Sequence, residues 1–201
     1  SRELAAPITR VRGKVLGIIG FGRVAQAVAE RMAGFGVSIL VFDPYVVESV
    51  MTLHHAQKVM LEELISRADF ITIHANLTEQ TFHLLGAPQL ASMKPDVIIV
   101  NTSRGQLIDE VALANALQSG CVRGAALDVM EQEPLPTDSP LRRLDNVILV
   151  PHIASYSKEA VESLYLNGAE IAAKMLSGQW VPTIVNPEVR TKAQARWGVF
   201  V

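Results

Sequence analysis

Apolar runs of strand length alternate along this chain with longer segments whose apolar positions recur at helical spacing. Lys14–Ile19, rich in Val, Leu and Ile, reads as a strand, and Arg23–Ala33 as a helix with Val24, Val28 and Met32 four apart on one face. Ser38–Phe42 is a second strand, Ala56–Val59 a short third, and Leu61–Ala68 a helix. Phe70–His74 and Val97–Asn101 are the next strands. Asp109 can cap a helix that runs to Ser119 and stops at Gly120. Gly124–Asp128 and Val147–Val150 are the last strands, and a long helix over about Lys158–Ser177 ends at Gly178.

Strands that are apolar on both faces and separated by helices imply a parallel sheet covered on both sides. Right-handed crossovers then give an α/β, Rossmann-type doubly wound sheet, whose ligands sit at the carboxyl ends of its strands. The stretch Glu133–Ser139, with Pro134, Pro136 and Pro140 around it, is expected to be an irregular surface loop. The domain reading has four parts: 1–11 as a remnant of an interdomain segment, 12–155 as the dinucleotide-binding domain, 156–187 as a C-terminal helix and return segment, and 188–201 as a tail without assigned role.

Composition narrows the picture. Hydrophobic residues make up 49% of the 201 and charged ones 19%, which is enough apolar material for a core. Eighteen basic against twenty acidic residues, a net charge of −2, form no footprint for nucleic acid. No apolar run is long enough to span a membrane, so no membrane partner is expected. The one cysteine, Cys121, cannot close an internal disulfide, which fits a reducing, cytoplasmic setting. The chain begins at Ser1 without a signal-peptide pattern, as a processed or excised piece would.

Gly20-Phe-Gly22-Arg-Val-Ala25 leaves the first strand and opens the first helix. Gly20 permits the tight turn, Gly22 lets backbone approach a pyrophosphate, and Ala25 allows close helix packing. The helix N-terminus adds free N–H groups and partial positive charge. Asp43 ends the second strand, 23 residues after Gly20. A carboxylate there accepts from ribose hydroxyls and repels a 2′-phosphate, so NAD is favoured over NADP. A plain Gly-rich turn and an Asp before Pro44 would be the bland alternative; strand, turn, helix and spacing together argue against it.

Three polar residues follow predicted strand ends: Arg104, Glu133 and His152. The fold rule puts them on the edge that carries the glycine loop. Reducing a 2-keto acid needs a hydride and a proton, and histidine is suited to supply the proton near neutral pH. A neighbouring carboxylate favours the imidazolium and orients the ring. A guanidinium can fork onto the substrate carboxylate and polarise the carbonyl. Singly, each is more simply a solvated or structural residue; it is their shared placement that points to chemistry. His54, His55 and His83 lack partners at metal-ligand spacing and read as solvated or packed, so no metal is expected. Trp180 and Trp197 are expected to cover apolar surface. Ser155 and Ser157 have no nucleophile-elbow context.

Asn101-Thr-Ser-Arg104-Gly105 with Asp109-Glu110, Ala126-Leu-Asp128 through Glu133-Pro134, and Pro151-His152-Ile-Ala154 resemble the signatures of the D-isomer-specific 2-hydroxyacid dehydrogenases. That family includes phosphoglycerate, glycerate and D-lactate dehydrogenases, formate dehydrogenases and the C-terminal-binding-protein corepressors. The resemblance covers roughly Val11 to Pro187. It implies an NAD-dependent oxidoreductase acting on a small 2-hydroxy or 2-keto acid, with Arg104 binding substrate, His152 as acid–base and Glu133 as its partner. It also implies cofactor contacts from Gly20, Gly22, Arg23, Val24, Asp43, Thr102, Ser103, Arg104, Asp128, His152 and Ser155, and a homodimer. The chain departs from the pattern at Asn76, where the family usually has Pro, and at Thr81-Phe82. The family's substrate domain needs a long preceding segment, so that half of the cleft is expected to be largely absent. Two other readings stay open: an NAD(H)-sensing binding protein of the corepressor type, and a catalytically dead short homologue.

Overall fold

The computed structural model describes residues 9–198. Its contacts divide into two units, Ser1–Ala154 and Ser155–Val201. Residues 1–8 of the expected interdomain remnant, and 199–201 of the tail, lie outside the described residues.

The first unit is built on a seven-stranded parallel sheet: β1 (Val15–Ile19), β2 (Ser38–Phe42), β3 (Ala56–Lys58), β4 (Phe70–Ile73), β5 (Ile98–Asn101), β6 (Gly124–Leu127) and β7 (Val147–Leu149). The spatial order is β3-β2-β1-β4-β5-β6-β7. The order reverses direction between β1 and β4, which pair with Ile19 opposite Ile73. A crevice opens at such a point because the loops leaving the two strands run to opposite faces.

Period-two alternation sends apolar side chains to both faces. Leu16, Ile18, Ile39 and Val41 pack with Ala25 and Ala29 of α1 (Arg23–Ala33). Ile19, Leu40, Ile71, Ile73 and Ile99 join the larger cluster with α3 (Leu61–Arg67), α4 (Ala87–Ala91) and α5 (Glu110–Ser119). The apolar residues four apart on α1 do not form its innermost contact line. Its fully buried positions are the two alanines, Val28 and Met32 only flank them, and Val24 is 63% exposed. Close packing of a helix on a sheet favours the smallest side chains at the contact line, and an apolar periodicity does not mark them.

Two short helices of this unit escaped the sequence reading: α2 (Glu48–Leu53) and α4. Each spans less than two turns, too little for a periodic signal, and is held by one fully buried side chain, Met51 or Leu90. Asp109 caps α5 as expected, accepting from the Ala112 N–H at 2.9 Å, and Gly120 closes it in the left-handed region. The proline-flanked stretch is irregular as expected, yet Leu135 and Ser139 within it are buried.

The second unit holds α6 (Lys158–Leu176) and α7 (Arg190–Trp197). Ser157 caps α6 through the Ala160 N–H, and Gly178 in the left-handed region follows its end. Arg190 lies over the Trp180 ring and Arg196 over that of Trp197. Trp197 is itself exposed, so the expectation that it covers apolar surface is not met. No helix among the described residues is long and apolar enough to cross a membrane.

Candidate active site

The glycine loop follows from the strand pairing. Gly20 has φ +83°, and its N–H donates to Phe42 O at 2.8 Å. A Cβ there would come within 2.6 Å of Ala75 N, so the loops after β1 and β4 approach as closely as only glycine allows. Gly22 caps α1 with no side-chain bond to the first turn, and a Cβ there would meet nothing within 4 Å. The first N–H groups of α1 thus have no side-chain acceptor at the cap, and such a helix start suits an anion. Arg23 and Val24 are exposed in that turn. A cavity of about 480 Å³ runs from this loop past Asp43, His74 and Asn76.

Asp43 lines the cavity but is not idle. Its Oδ2 accepts the Phe21 N–H at 2.8 Å, and its Oδ1 accepts the N–H groups of Tyr45 and Val46. The carboxylate thus braces the glycine loop as well as lining the cavity. His74, given no role from the sequence, is bonded to Thr72 Oγ1 at 3.0 Å, and burial lowers its pKa, so the ring is neutral at pH 7.

Beyond β5, Asn101 shapes the arginine loop. Its side chain is buried, donates to Arg104 O at 2.9 Å and accepts from the Ser103 N–H. Sequence reasoning passed over Asn101 because a polar residue at a strand end has no periodic signature. Thr102 and Arg104 are exposed. The Ser103 hydroxyl donates to Ala75 O at 2.6 Å and ties the loops after β4 and β5 together.

Beyond β6 and β7 the two remaining predicted residues meet. His152 Nδ1 lies 2.9 Å from Glu133 Oε2. The bond to His152 lowers the Glu133 pKa; burial opposes it, while the Met130 N–H and the imidazole charge add to the lowering and Asp128 opposes. An ionised Glu133 can only accept, so Nδ1 carries the hydrogen and Nε2 is left for another partner. His152 itself has φ +54°, a costly conformation for a residue with a Cβ. It is held there by Asp128, which is buried: Asp128 O accepts the His152 N–H, and the carboxylate accepts the N–H groups of Ile153 and Ala154. A second cavity, of about 560 Å³, is lined by Glu133, His152, Leu135 and Arg142. Ser155, the last predicted contact, belongs to the second unit.

His83 corrects an expectation. It has a carboxylate partner, with its Nε2 3.0 Å from Glu131 Oε1, and Asp109 is close to both. The partners are distant in sequence, so no local spacing could reveal them; crossover connections bring them together. His54 is packed, edge-on to Phe21 and 3.4 Å from Glu30.

The family model described as D-isomer specific 2-hydroxyacid dehydrogenase, NAD binding domain, matches residues 1–154. A glyoxylate reductase of Korarchaeum cryptofilum is 45% identical over 89% of this chain and 54% of its own length. A D-3-phosphoglycerate dehydrogenase of Methanocaldococcus jannaschii is 46% identical over 87% of this chain and 33% of its own. A crystal structure of D-lactate dehydrogenase with NAD+ from Lactobacillus jensenii superimposes with a TM-score of 0.80 at 28% identity, covering 86% of this chain and 55% of that one. The chain therefore spans about a third to just over half the length of these relatives.

Proposed function

This chain belongs to the D-isomer specific 2-hydroxyacid dehydrogenase family as its NAD-binding domain, and from that premise we propose that the protein interconverts a D-2-hydroxy acid and its 2-keto acid. The Glu133–His152 pair at the strand ends carries the reading. The Gly20–Gly22 loop, the start of α1 and Asp43 would hold NAD, which when bound would supply or accept the hydride. In reduction, His152 Nε2 gives its proton to the alkoxide oxygen; in oxidation it takes that proton from the hydroxyl. Glu133 stabilises the charged ring and fixes its orientation. Arg104 binds the substrate carboxylate as a fork and polarises the carbonyl. The left-handed backbone at His152, enforced by Asp128, aims the imidazole.

The test uses the complete protein, following NADH absorbance against a panel of 2-keto acids. Turnover of at least one is expected, and inertness toward all of them removes the proposal. Its relatives named above carry enzyme names, and nothing in them favours the corepressor-type reading.

Asp43→Ser combined with an Arg at Pro44 is expected to lower the NADH:NADPH ratio of kcat/KM, because it removes the charge that repels a 2′-phosphate and adds one that attracts it. Both KM values should also rise, because the Phe21 N–H loses its acceptor. A ratio equal to the parent's would exclude Asp43 as the ribose ligand.

A homodimer in a cytoplasmic setting completes the proposal. It is supported by the family resemblance and by Leu164 and Tyr165 of α6, both exposed. Light scattering at high protein concentration should give twice the chain mass; a monomer there removes it.

A further inference from the structure

The loops that carry Arg104 and Glu133 meet through groups the chemistry above leaves unused. A Cβ on Gly105 would stand 1.9 Å from the Met130 carbonyl carbon, so the two backbones are in direct contact. Gln106 Nε2 donates to Glu131 O at 2.8 Å, and Gln106 O accepts the His83 N–H at 2.8 Å. Glu131 Oε1 accepts the Glu110 N–H at 2.7 Å and faces His83 Nε2 at 3.0 Å. Glu110 Oε2 returns the bond, accepting from the Glu131 N–H at 3.1 Å. His83 sits in the left-handed region at φ +50°, its ring stacked on Phe82. Such a conformation persists where the surroundings enforce it.

His83, Asp109 and Glu131 each offer a ligand atom within 4.8 Å of the others, a spacing that would suit a cation. One oxygen of each carboxylate is already engaged: Glu131 Oε1 accepts the Glu110 N–H, and Asp109 Oδ1 the Ala112 N–H. The positive end of the α5 dipole also disfavours a cation at that place. Burial raises the Glu110 pKa, the Glu131 N–H opposing and the Glu131 charge adding to it. An imidazole donating to Glu131 relieves that like-charge contact.

We propose that His83 and Glu131 form a clasp that sets the spacing between Arg104 and the Glu133–His152 pair, which makes Glu131 a positioning residue. The proposal rests on the dehydrogenase reading above. On one side Gly105 directly follows Arg104. On the other, the Met130 N–H donates to Glu133 Oε1 at 3.1 Å, so a shift of the 130–131 backbone reaches the carboxylate that orients His152. A substrate held at its carboxylate by Arg104 and at its oxygen by His152 spans that gap, and a misplacement of about 1 Å can cost about 10²-fold in rate.

The test compares Glu131→Ala and Glu131→Gln in the complete protein. Glu131→Ala is expected to raise the keto-acid KM and lower kcat, together roughly 10- to 100-fold in kcat/KM, with the NADH KM unchanged. Glu131→Gln keeps an acceptor for the Glu110 N–H and should restore most of the loss. A fall in kcat at unchanged keto-acid KM would mean only fewer folded molecules, and it overturns the clasp, as would parental kinetics. The second readout is NMR: the Arg104 amide and His152 ring signals should move in the Ala variant and return in the Gln variant. If the parent turns over no 2-keto acid, the functional reading falls and the NMR comparison alone decides the clasp, unmoved signals overturning it. Should Glu131→Ala fail to fold, His83→Leu removes the ring's bond to Glu131 together with its stacking on Phe82 and is read by the same two criteria.

Discussion

His152→Ala is expected to lower kcat for keto-acid reduction by about 10²–10⁴-fold, the usual worth of a positioned general acid. The alkoxide loses its proton donor, while the glycine loop, which lies beyond a different strand, is untouched. Glu133→Gln should be milder and of another kind. Glu133 is held ionised by its bond to His152. Replacing it removes the charge that favours the imidazolium, so the alkaline limb of the rate profile for reduction should move to lower pH. The sign of the stability effect is opposite in pH. A carboxylate whose folded pKa is depressed stabilises the fold above its ordinary titration range and loses that contribution as pH falls through the depressed value. Steady-state pH profiles of the three proteins check this, and a near-parental kcat for His152→Ala would end the acid–base assignment.

Gly105→Ala is expected to be the most damaging single-methyl change in the site. The added carbon would fall 1.9 Å from Met130 C, 2.1 Å from Met130 O and 2.3 Å from Glu131 N. All three are backbone atoms, so no side-chain rotation relieves the clash, and the loops after β5 and β6 must separate. Overpacking of this kind typically costs about 1–3 kcal/mol, occasionally more. The separation would also pull Arg104 from Glu133 and His152, so kcat/KM should fall by about 10²-fold even in molecules that fold. Chemical denaturation and steady-state kinetics on the same preparation separate the two effects. Parental stability and parental kcat/KM together would show that the loops do not meet as described.

Much of this was legible in the order of residues. Strands such as Ser38–Phe42 and helices such as Arg23–Ala33 announce themselves because burial on one or two faces imposes a local period. Gly20, Gly22 and Asp43 were legible because turn, close approach and charge are demanded at short, regular spacing. Arg104, Glu133 and His152 could be placed on one edge because parallel strands all end on the same side. What escaped depends on partners brought from elsewhere. Val24 carries the helical period yet is exposed, because the alanines beside it make the contact. The bonds of the Ser103 hydroxyl to Ala75 and of the Asp128 carboxylate to Ile153 and Ala154 likewise cross between loops. His83 looked solitary, yet Glu131 reaches it across 48 positions.

By itself, then, the sequence determined the parallel α/β sheet, the dinucleotide loop and the edge on which Arg104, Glu133 and His152 stand, since each follows from local periodicity or from the direction of the strands. Only the tertiary structure decided that Nδ1 of His152 faces Glu133, that Asp128 forces the histidine backbone into the left-handed region, and that His83 and Glu131 join the loops beneath them. Those bonds join loops leaving different strands, and hydrogen-bond geometry between such loops is set by how the strands stack, which no local pattern records.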